Sequence, residues 1–185
     1  KDCTPEHLDL WARRKGIHLV GSGDFTHPAW REELKEKLRQ DENGLYVLKE
    51  EYRIHEDSAP DHMIPRFVIT GEISSIYKQG GKVRKVHSLI LLPDLQKAEI
   101  ISRKLEEIGN IHSDGRPILG ISCHDLLEII LELCPEAVYV PAHIWTPHFS
   151  MFGAFSGFDS VEECFGDLSG YVHAVETGLS SDPPM

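Results

Sequence analysis

The stretch RFVITGEISSIYKQGGKVRKVHSLILL, residues 66–92, decides the fold. Residues 66–74 and 83–92 are rich in β-branched and apolar side chains, and the polar, glycine-containing run 78–82 separates them. This pattern is typical of two strands joined by a turn. Each strand carries one ionisable side chain among apolar neighbours, Glu72 in the first and His87 in the second. The apolar flanks favour a role in a functional site over a plain surface position.

Further apolar runs also end in acidic or imidazole side chains. These runs lie at residues 17–20, 137–140 and 172–175. The side chains that follow them are Asp24, His27, His143, Glu176 and Asp182. If the runs are strands of one parallel sheet or barrel, their carboxyl ends lie along one rim and these groups converge. Histidine, aspartate and glutamate are ligands of Zn²⁺ and Mn²⁺, so we expect a metal-dependent hydrolase.

Predicted helices alternate with the strands. They cover residues 5–15, 28–40, 93–108 and 122–133, with a short helix at 161–165. A short hairpin is predicted at 45–54, and the last strand at 171–177. Alternation of strands and helices predicts an α/β fold with parallel strands.

Composition limits the class of protein. A chain of 185 residues with 41% hydrophobic residues is typical of one globular domain. No apolar run approaches the ~20 residues needed to cross a bilayer, so no membrane partner is expected. A net charge of −11 argues against nucleic-acid binding by bulk electrostatics but allows a local basic groove. Four widely spaced cysteines without a CxxC pair do not support a zinc ribbon or a dense disulfide framework, and they predict reduced thiols in a cytoplasm.

Five motifs resemble the polymerase and histidinol phosphatase (PHP) superfamily, in the subgroup of endonuclease Q and its bacterial relatives. They are GDFTHP at 23–28, TGEIS at 70–74, KVHSLILLPD at 85–94, PAHIWTP at 141–147 and ETGLSSDPPM at 176–185. The resemblance covers nearly the whole chain, which would form one PHP domain over residues 1–185. It implies a distorted barrel of seven β/α units with two or three divalent ions, Zn²⁺, Mn²⁺ or Mg²⁺. It also implies phosphoester hydrolysis, with cleavage of DNA beside deaminated or missing bases in DNA repair.

The resemblance also assigns the metal ligands. It makes Glu72 the carboxylate that bridges two ions, and it gives catalytic roles to Glu72, Asp182 and Asp24. The full set of implied ligands is His27, Glu72, His87, His143 and Asp182.

Two departures from the family pattern concern the ends of the sequence. The N-terminal strand with its His-x-His motif is missing, and Asp182 is followed by two prolines instead of the usual Asp-x-His. The sequence does not begin with methionine, and we expect it to be a piece of a longer protein.

Basic and aromatic residues beside these motifs are candidates for contacts with DNA, the expected substrate. They are Lys82, Arg84, Lys85, Arg116 and Trp145. The alternatives are a solvated hairpin tip for the basic run, a side chain that only braces its loop for Arg116, and core packing for the aromatic side chain.

Two other functions stay open at this point. One is a phosphomonoesterase on a small metabolite, like the histidinol phosphatases. The other is a non-catalytic PHP module that stabilises a larger protein. The sequence leaves protein partners open.

Overall fold

The computed structural model describes residues 3–177 of the chain. Its helices are α1 (Pro5–Lys15), α2 (Pro28–Lys37), α3 (Leu95–Glu106), α4 (Cys123–Leu133) and α5 (Val161–Phe165). Its strands are β1 (Leu19–Gly21), β2 (Leu38–Gln40), β3 (Tyr46–Leu48), β4 (Arg66–Gln79), β5 (Lys82–Leu92), β6 (Ile118–Leu119) and β7 (Val138–Pro141). Short 3₁₀ helices cover Glu50–Tyr52 and Gly166–Tyr171. Among the described residues, none of these helices is both long enough and apolar enough to cross a membrane.

Short polar side chains begin three of the helices. The side chains of Asp94, Ser122 and Ser160 accept hydrogen bonds from the third backbone N–H that follows, at the starts of α3, α4 and α5. Such a cap satisfies one of the backbone donors that a helix leaves free at its first turn. The predicted helices at 93–108, 122–133 and 161–165 are therefore found nearly at their expected starts.

The long hairpin of β4 and β5 is the centre of the sheet. Gly80 and Gly81 form its two-residue turn with φ of 59° and 77°, which glycine adopts without steric strain. The turn sets an antiparallel register in which Ser74 faces His87 and Glu72 faces Leu89. Because side chains alternate between the two faces of a strand, Glu72 and His87 lie on the same face as diagonal neighbours.

The sheet is mostly antiparallel, so the expected parallel barrel was wrong in strand direction. The order is β2-β3-β4-β5-β7, and β1 and β6 each pair with β4 in parallel. Within residues 3–177 the sheet is open rather than closed. The physical reason is the two-residue turn, since only antiparallel strands can be joined so directly.

Three local predictions also differ from the structure. Instead of a hairpin at 45–54, the chain forms β3, which pairs with β2 and β4, followed by the 3₁₀ helix Glu50–Tyr52. The predicted helix at 28–40 ends at Lys37, and Leu38–Gln40 forms β2 against β3 instead. The predicted strand at 171–177 is absent from the described part of the chain. Its residue Glu176 still makes two backbone hydrogen bonds, to Pro141 and Ile144, but this pairing is too short for a strand.

The hydrophobic core lies on one face of the hairpin. Phe67, Ile69 and Ile73 of β4 and Val86 and Ile90 of β5 are fully buried. They belong to one cluster with buried side chains of α3 and α4. Burial of side chains of this size contributes about 1.5–3 kcal/mol each. The opposite face of the hairpin carries the polar side chains of Glu72 and His87.

Candidate metal centre

Glu72, His87 and His143 bring three ligand atoms together on the face of the hairpin opposite the core. Glu72 Oε1 lies 2.8 Å from His87 Nδ1. His143 Nε2 lies 3.1 Å from that same nitrogen and 3.9 Å from Glu72 Oε1. The three predicted ligands with the strongest sequence support therefore form one compact group.

His143 reaches the group from the segment that follows β7. Ala142 donates its N–H to the carbonyl of His87 at 3.0 Å, which brings this segment against β5. His143 itself has φ of 34°, a left-handed conformation that costs a residue with a β-carbon about 1 kcal/mol or more. Its backbone N–H donates to Glu176 Oε2 at 2.7 Å, and this bond to a carboxylate stabilises the turn.

Thr146 fixes the orientation and tautomer of the His143 ring. Its hydroxyl lies 2.8 Å from Nδ1 of His143 and is also within hydrogen-bond distance of the carbonyls of His143 and His148. When the hydroxyl donates to a carbonyl, it accepts a hydrogen bond from Nδ1–H, and the lone pair of the neutral ring is then on Nε2. That lone pair faces Glu72 and His87, as a metal ligand requires.

The geometry of the three atoms fits a divalent ion. The point in their plane that is equally far from Glu72 Oε1, His87 Nδ1 and His143 Nε2 lies about 2.0 Å from each atom. This distance is the usual length of a zinc–nitrogen bond. One carboxylate oxygen and two imidazole nitrogens are also a donor set that Zn²⁺, Mn²⁺ and Fe²⁺ accept. These residues can hold one ion.

Arg116 adds positive charge at the edge of this group. Its Nη1 donates to Glu72 Oε1 at 3.2 Å, and about half of its side chain is exposed. The parallel pairing of β6 with β4 positions it, since Ser74 donates its N–H to the carbonyl of Pro117. The hydrogen bond with His87 lowers the pKa of the Glu72 carboxyl, and Arg116 lowers it further, against the opposing effect of burial. Glu72 is therefore an anion at neutral pH.

Asp24 and His27 lie outside this group, so their predicted roles stay predictions. Asp24 packs against Gly115, where an added β-carbon would lie 2.2 Å from the Asp24 carboxyl carbon. This contact places Asp24 beside the segment that carries Arg116. The Nε2 of His27 is 3.1 Å from the carbonyl of His112. The predicted ligand Asp182 falls outside the described residues.

The basic residues of the hairpin divide between its two faces. Lys85 shares the face of His87, and its Nζ lies 5.3 Å from the ring centre of Phe149, which packs 4.9 Å from the His87 ring. Lys82 is exposed at the start of β5.

Trp145 packs on Phe152 with ring centres 5.1 Å apart, as expected if this side chain belongs to the core.

Arg84 corrects the predicted set of phosphate contacts, because alternation along β5 directs it into the protein. It is 5% exposed, pairs with Glu163 at 2.8 Å and lies 4.1 Å from the ring centre of Phe158. It also donates to the carbonyl of Gly157. Its charge is used in these contacts and not in binding phosphate. The contacts attach the end of the aromatic loop (residues 144–158) to β5.

We expect Arg84→Ala to lower the free energy of unfolding by about 2 kcal/mol, less than the usual cost of breaking a fully buried pair because Glu163 is partly exposed. Urea denaturation measures this change. Lys82→Ala, on the same strand but exposed, is the matched control and should stay within about 0.5 kcal/mol of the wild type. Equal stability of the two variants would contradict the structural role of Arg84.

Sequence reasoning missed Thr146 as the partner of His143. Its only local signal is a hydroxyl three residues after a predicted ligand, in a sequence with no periodicity. It also missed a second donor group, His124, Asp125 and Glu128 on α4. Hydrogen bonds that the His124 ring donates to the carboxylates of Asp125 and Asp167 raise the pKa of His124, and a protonated imidazole is a poor metal ligand. This exposed group is best described as an ion-pair cluster.

Comparisons with known proteins give relatives of low identity. No family model matches the sequence. The uncharacterised protein MJ0043 of Methanocaldococcus jannaschii is 28% identical over 148 residues, which are 80% of this chain and 14% of that protein. The uncharacterised protein YqxK of Bacillus subtilis is 27% identical over 175 residues, which are 94% of this chain and 41% of that protein. The chain therefore spans less than half the length of both relatives.

Two solved structures share the fold over most of the chain. The lesion-specific endonuclease PfuEndoQ of Pyrococcus furiosus matches with a TM-score of 0.68 and 27% identity, covering 93% of this chain and 36% of that one. Endonuclease Q in complex with a 27-mer duplex carrying an abasic lesion matches with a TM-score of 0.64 and 28% identity, covering 84% and 33%. The chain thus has an endonuclease Q-like fold and spans about a third of those proteins.

Proposed function

We propose that this chain is the metal-binding part of a phosphodiesterase that cleaves DNA at deaminated or abasic sites, as a member of the endonuclease Q-like subgroup of the PHP superfamily. The observation that carries the proposal is the group of Glu72, His87 and His143, whose three facing atoms fit one divalent ion. The likeness to an endonuclease Q bound to a damaged duplex supports DNA as the substrate.

The finer fold that accompanies this proposal is a distorted PHP-type barrel, with residues 1–185 forming one domain. The parallel pairs of β1 and β6 with β4 are consistent with part of such a barrel. In the complete site, His27, Asp24 and Asp182 would contribute to a second or third ion.

The residues of the described site have two roles in the proposed hydrolysis, binding the metal and binding the substrate phosphates. A divalent ion held there would polarise a phosphoryl oxygen and lower the pKa of a water toward neutrality. Glu72, His87 and His143 would hold the ion. Arg116 and Lys85 lie on the same face and attract the substrate phosphates. The side chains of Glu72 and Arg116 are 32% and 49% exposed, so solvent reaches this edge of the site.

The direct test combines elemental analysis with a cleavage assay on the full-length protein. We expect at least one Zn²⁺ or Mn²⁺ per chain, and incision of duplexes that contain uracil, hypoxanthine or an abasic site but not of the undamaged duplex. A chelator should abolish incision and added metal should restore it. Hydrolysis of histidinol phosphate or p-nitrophenyl phosphate without incision of DNA would favour the phosphomonoesterase. Less than one metal per chain with no hydrolysis would favour the non-catalytic module.

We expect Lys85→Ala to weaken DNA binding to every sequence by a similar factor. The slope of log K against log salt should become shallower by about 1, because one fewer phosphate is neutralised. Lys104→Ala is the matched control, since Lys104 lies on α3 in an ion pair with Glu107. Fluorescence anisotropy at several salt concentrations gives both slopes. Identical slopes for the two variants would remove Lys85 from the DNA contact.

A further inference from the structure

An exposed aromatic stack stands on the loop that follows His143. The rings of His148 and Phe155 lie 4.6 Å apart with an angle of 9° between their planes. Phe155 is nevertheless 72% exposed. Since His148 covers one face of the Phe155 ring, most of this exposure belongs to the other face and the edge. A flat apolar surface is therefore presented to solvent in a fixed orientation.

The stack is attached directly to the candidate metal ligands. The hydroxyl of Thr146 contacts both Nδ1 of His143 and the carbonyl of His148. The carbonyl of Phe149, the next residue, accepts the N–H of His87 at 3.0 Å. Two of the three ligands, His143 and His87, are thus hydrogen-bonded to residues on either side of His148, namely Thr146 and Phe149. The loop that carries Phe155 therefore borders the metal centre.

The loop is tightly folded, which keeps the stack in place. Phe155 donates its N–H to the carbonyl of Pro147 at 3.3 Å, closing the segment between the two rings. An added β-carbon at Gly153 would lie 2.8 Å from the carbonyl oxygen of Thr146, and one at Gly157 would lie 2.4 Å from the backbone nitrogen of Gly153. Close backbone contacts of this kind leave the loop little freedom. A preorganised ring loses little entropy when it binds a ligand.

A single exposed phenylalanine on a protein surface carries no functional information. This one differs because a second ring holds it, because its loop contacts two candidate ligands, and because Lys85 lies on the same strand face as His87. A flat apolar surface beside positive charge matches a nucleotide, whose base stacks while its phosphate pairs with the cation.

We infer that the open face of Phe155 binds an unstacked nucleobase of the DNA strand at the metal centre, with His148 as its support. The inference rests on the proposed function and extends it, since it names the part of the substrate that this loop contacts. A damaged or mismatched base leaves the duplex at lower cost than a paired one, so such a surface favours lesion-containing DNA.

The test measures binding without cleavage, in a chelator, with a duplex that carries one bulged thymine and with the fully paired duplex. We expect Phe155→Ala and Phe155→Leu to weaken binding of the bulged duplex roughly 5- to 150-fold, the effect of losing one base–aromatic stack. Binding of the paired duplex should change less. Tyr171→Ala is the matched control, because Tyr171 is 54% exposed but lies beside Pro135 at the end of α4. This control should bind both duplexes like the wild type.

A second variant reports stacking directly. In Phe155→Trp, the bulged duplex should quench the indole fluorescence more than the paired duplex does, relative to the wild type with its three native tryptophans. Unchanged binding by Phe155→Ala together with no quenching of Phe155→Trp would overturn the inference. Because neither measurement needs turnover, an inactive protein that still shows both effects would remove the proposed hydrolysis and keep the base site. An active enzyme that shows neither effect would keep the proposed hydrolysis and remove the base site.

Discussion

Glu72→Gln is expected to abolish hydrolysis and to reduce bound metal to well below one ion per chain. Glutamine keeps the shape of glutamate but replaces the anionic oxygen with a neutral amide. Two unit charges 4 Å apart near a protein surface attract by about 4 kcal/mol, and an ion with two charges in direct contact is attracted more strongly. A loss of about 4 kcal/mol corresponds to roughly a thousandfold in metal affinity or rate.

Elemental analysis and the rate of incision of an abasic duplex measure the two effects. Glu107→Gln is the matched control, since Glu107 is an exposed carboxylate at the end of α3. It should keep both the metal and the activity. We expect circular dichroism of Glu72→Gln to match the wild type, because the core face of β4 is unchanged. Wild-type activity in Glu72→Gln would exclude Glu72 as a ligand.

The pairing of Glu72 with His87 is the part of the site that follows most directly from sequence. A two-residue turn at Gly80 and Gly81 places Gln79 opposite Lys82. Counting away from the turn along both strands then places Ser74 opposite His87. Glu72, two residues before Ser74, lies diagonally from His87 on the same face. The expectation of parallel strands brought these residues together for the wrong reason. The same counting shows that Arg84 lies on the core face, so its burial was also predictable.

The position of His143 does not follow from local sequence. It depends on the pairing of β7 with β5, which are about fifty residues apart, and on a left-handed φ at a residue for which such a conformation is unfavourable. The resemblance to a known family identified His143, whereas periodicity alone identified only the strand before it. The predicted strand at 171–177 fails for a similar reason. It contains a short, largely apolar run, but tertiary contacts use only Glu176 for pairing.

Glu176→Ala is expected to weaken metal binding 10- to 100-fold, which is the usual effect of removing a group that orients a ligand. The Glu176 carboxylate accepts the N–H of His143, whose left-handed backbone is otherwise unfavourable. Without this acceptor, His143 can relax toward a more common conformation, and its Nε2 then moves away from Glu72 and His87. Glu176→Gln keeps an acceptor oxygen at the same position and should lose much less affinity.

Titration of the metal-free protein with Zn²⁺ or Mn²⁺ by calorimetry separates these variants. Glu162→Ala, an exposed glutamate on α5, is the control for loss of charge and should bind like the wild type. If Glu176→Ala acted only by a general loss of stability, its melting temperature would fall, but its metal affinity would equal that of Glu176→Gln. Equal affinity in Glu176→Ala, Glu176→Gln and the wild type would show that the hydrogen bond between the ring and Thr146 is sufficient to hold His143. If metal affinity instead rises from Glu176→Ala to Glu176→Gln to the wild type, the affinity of the site depends on the backbone N–H of His143, because the carboxylate holds that N–H in place.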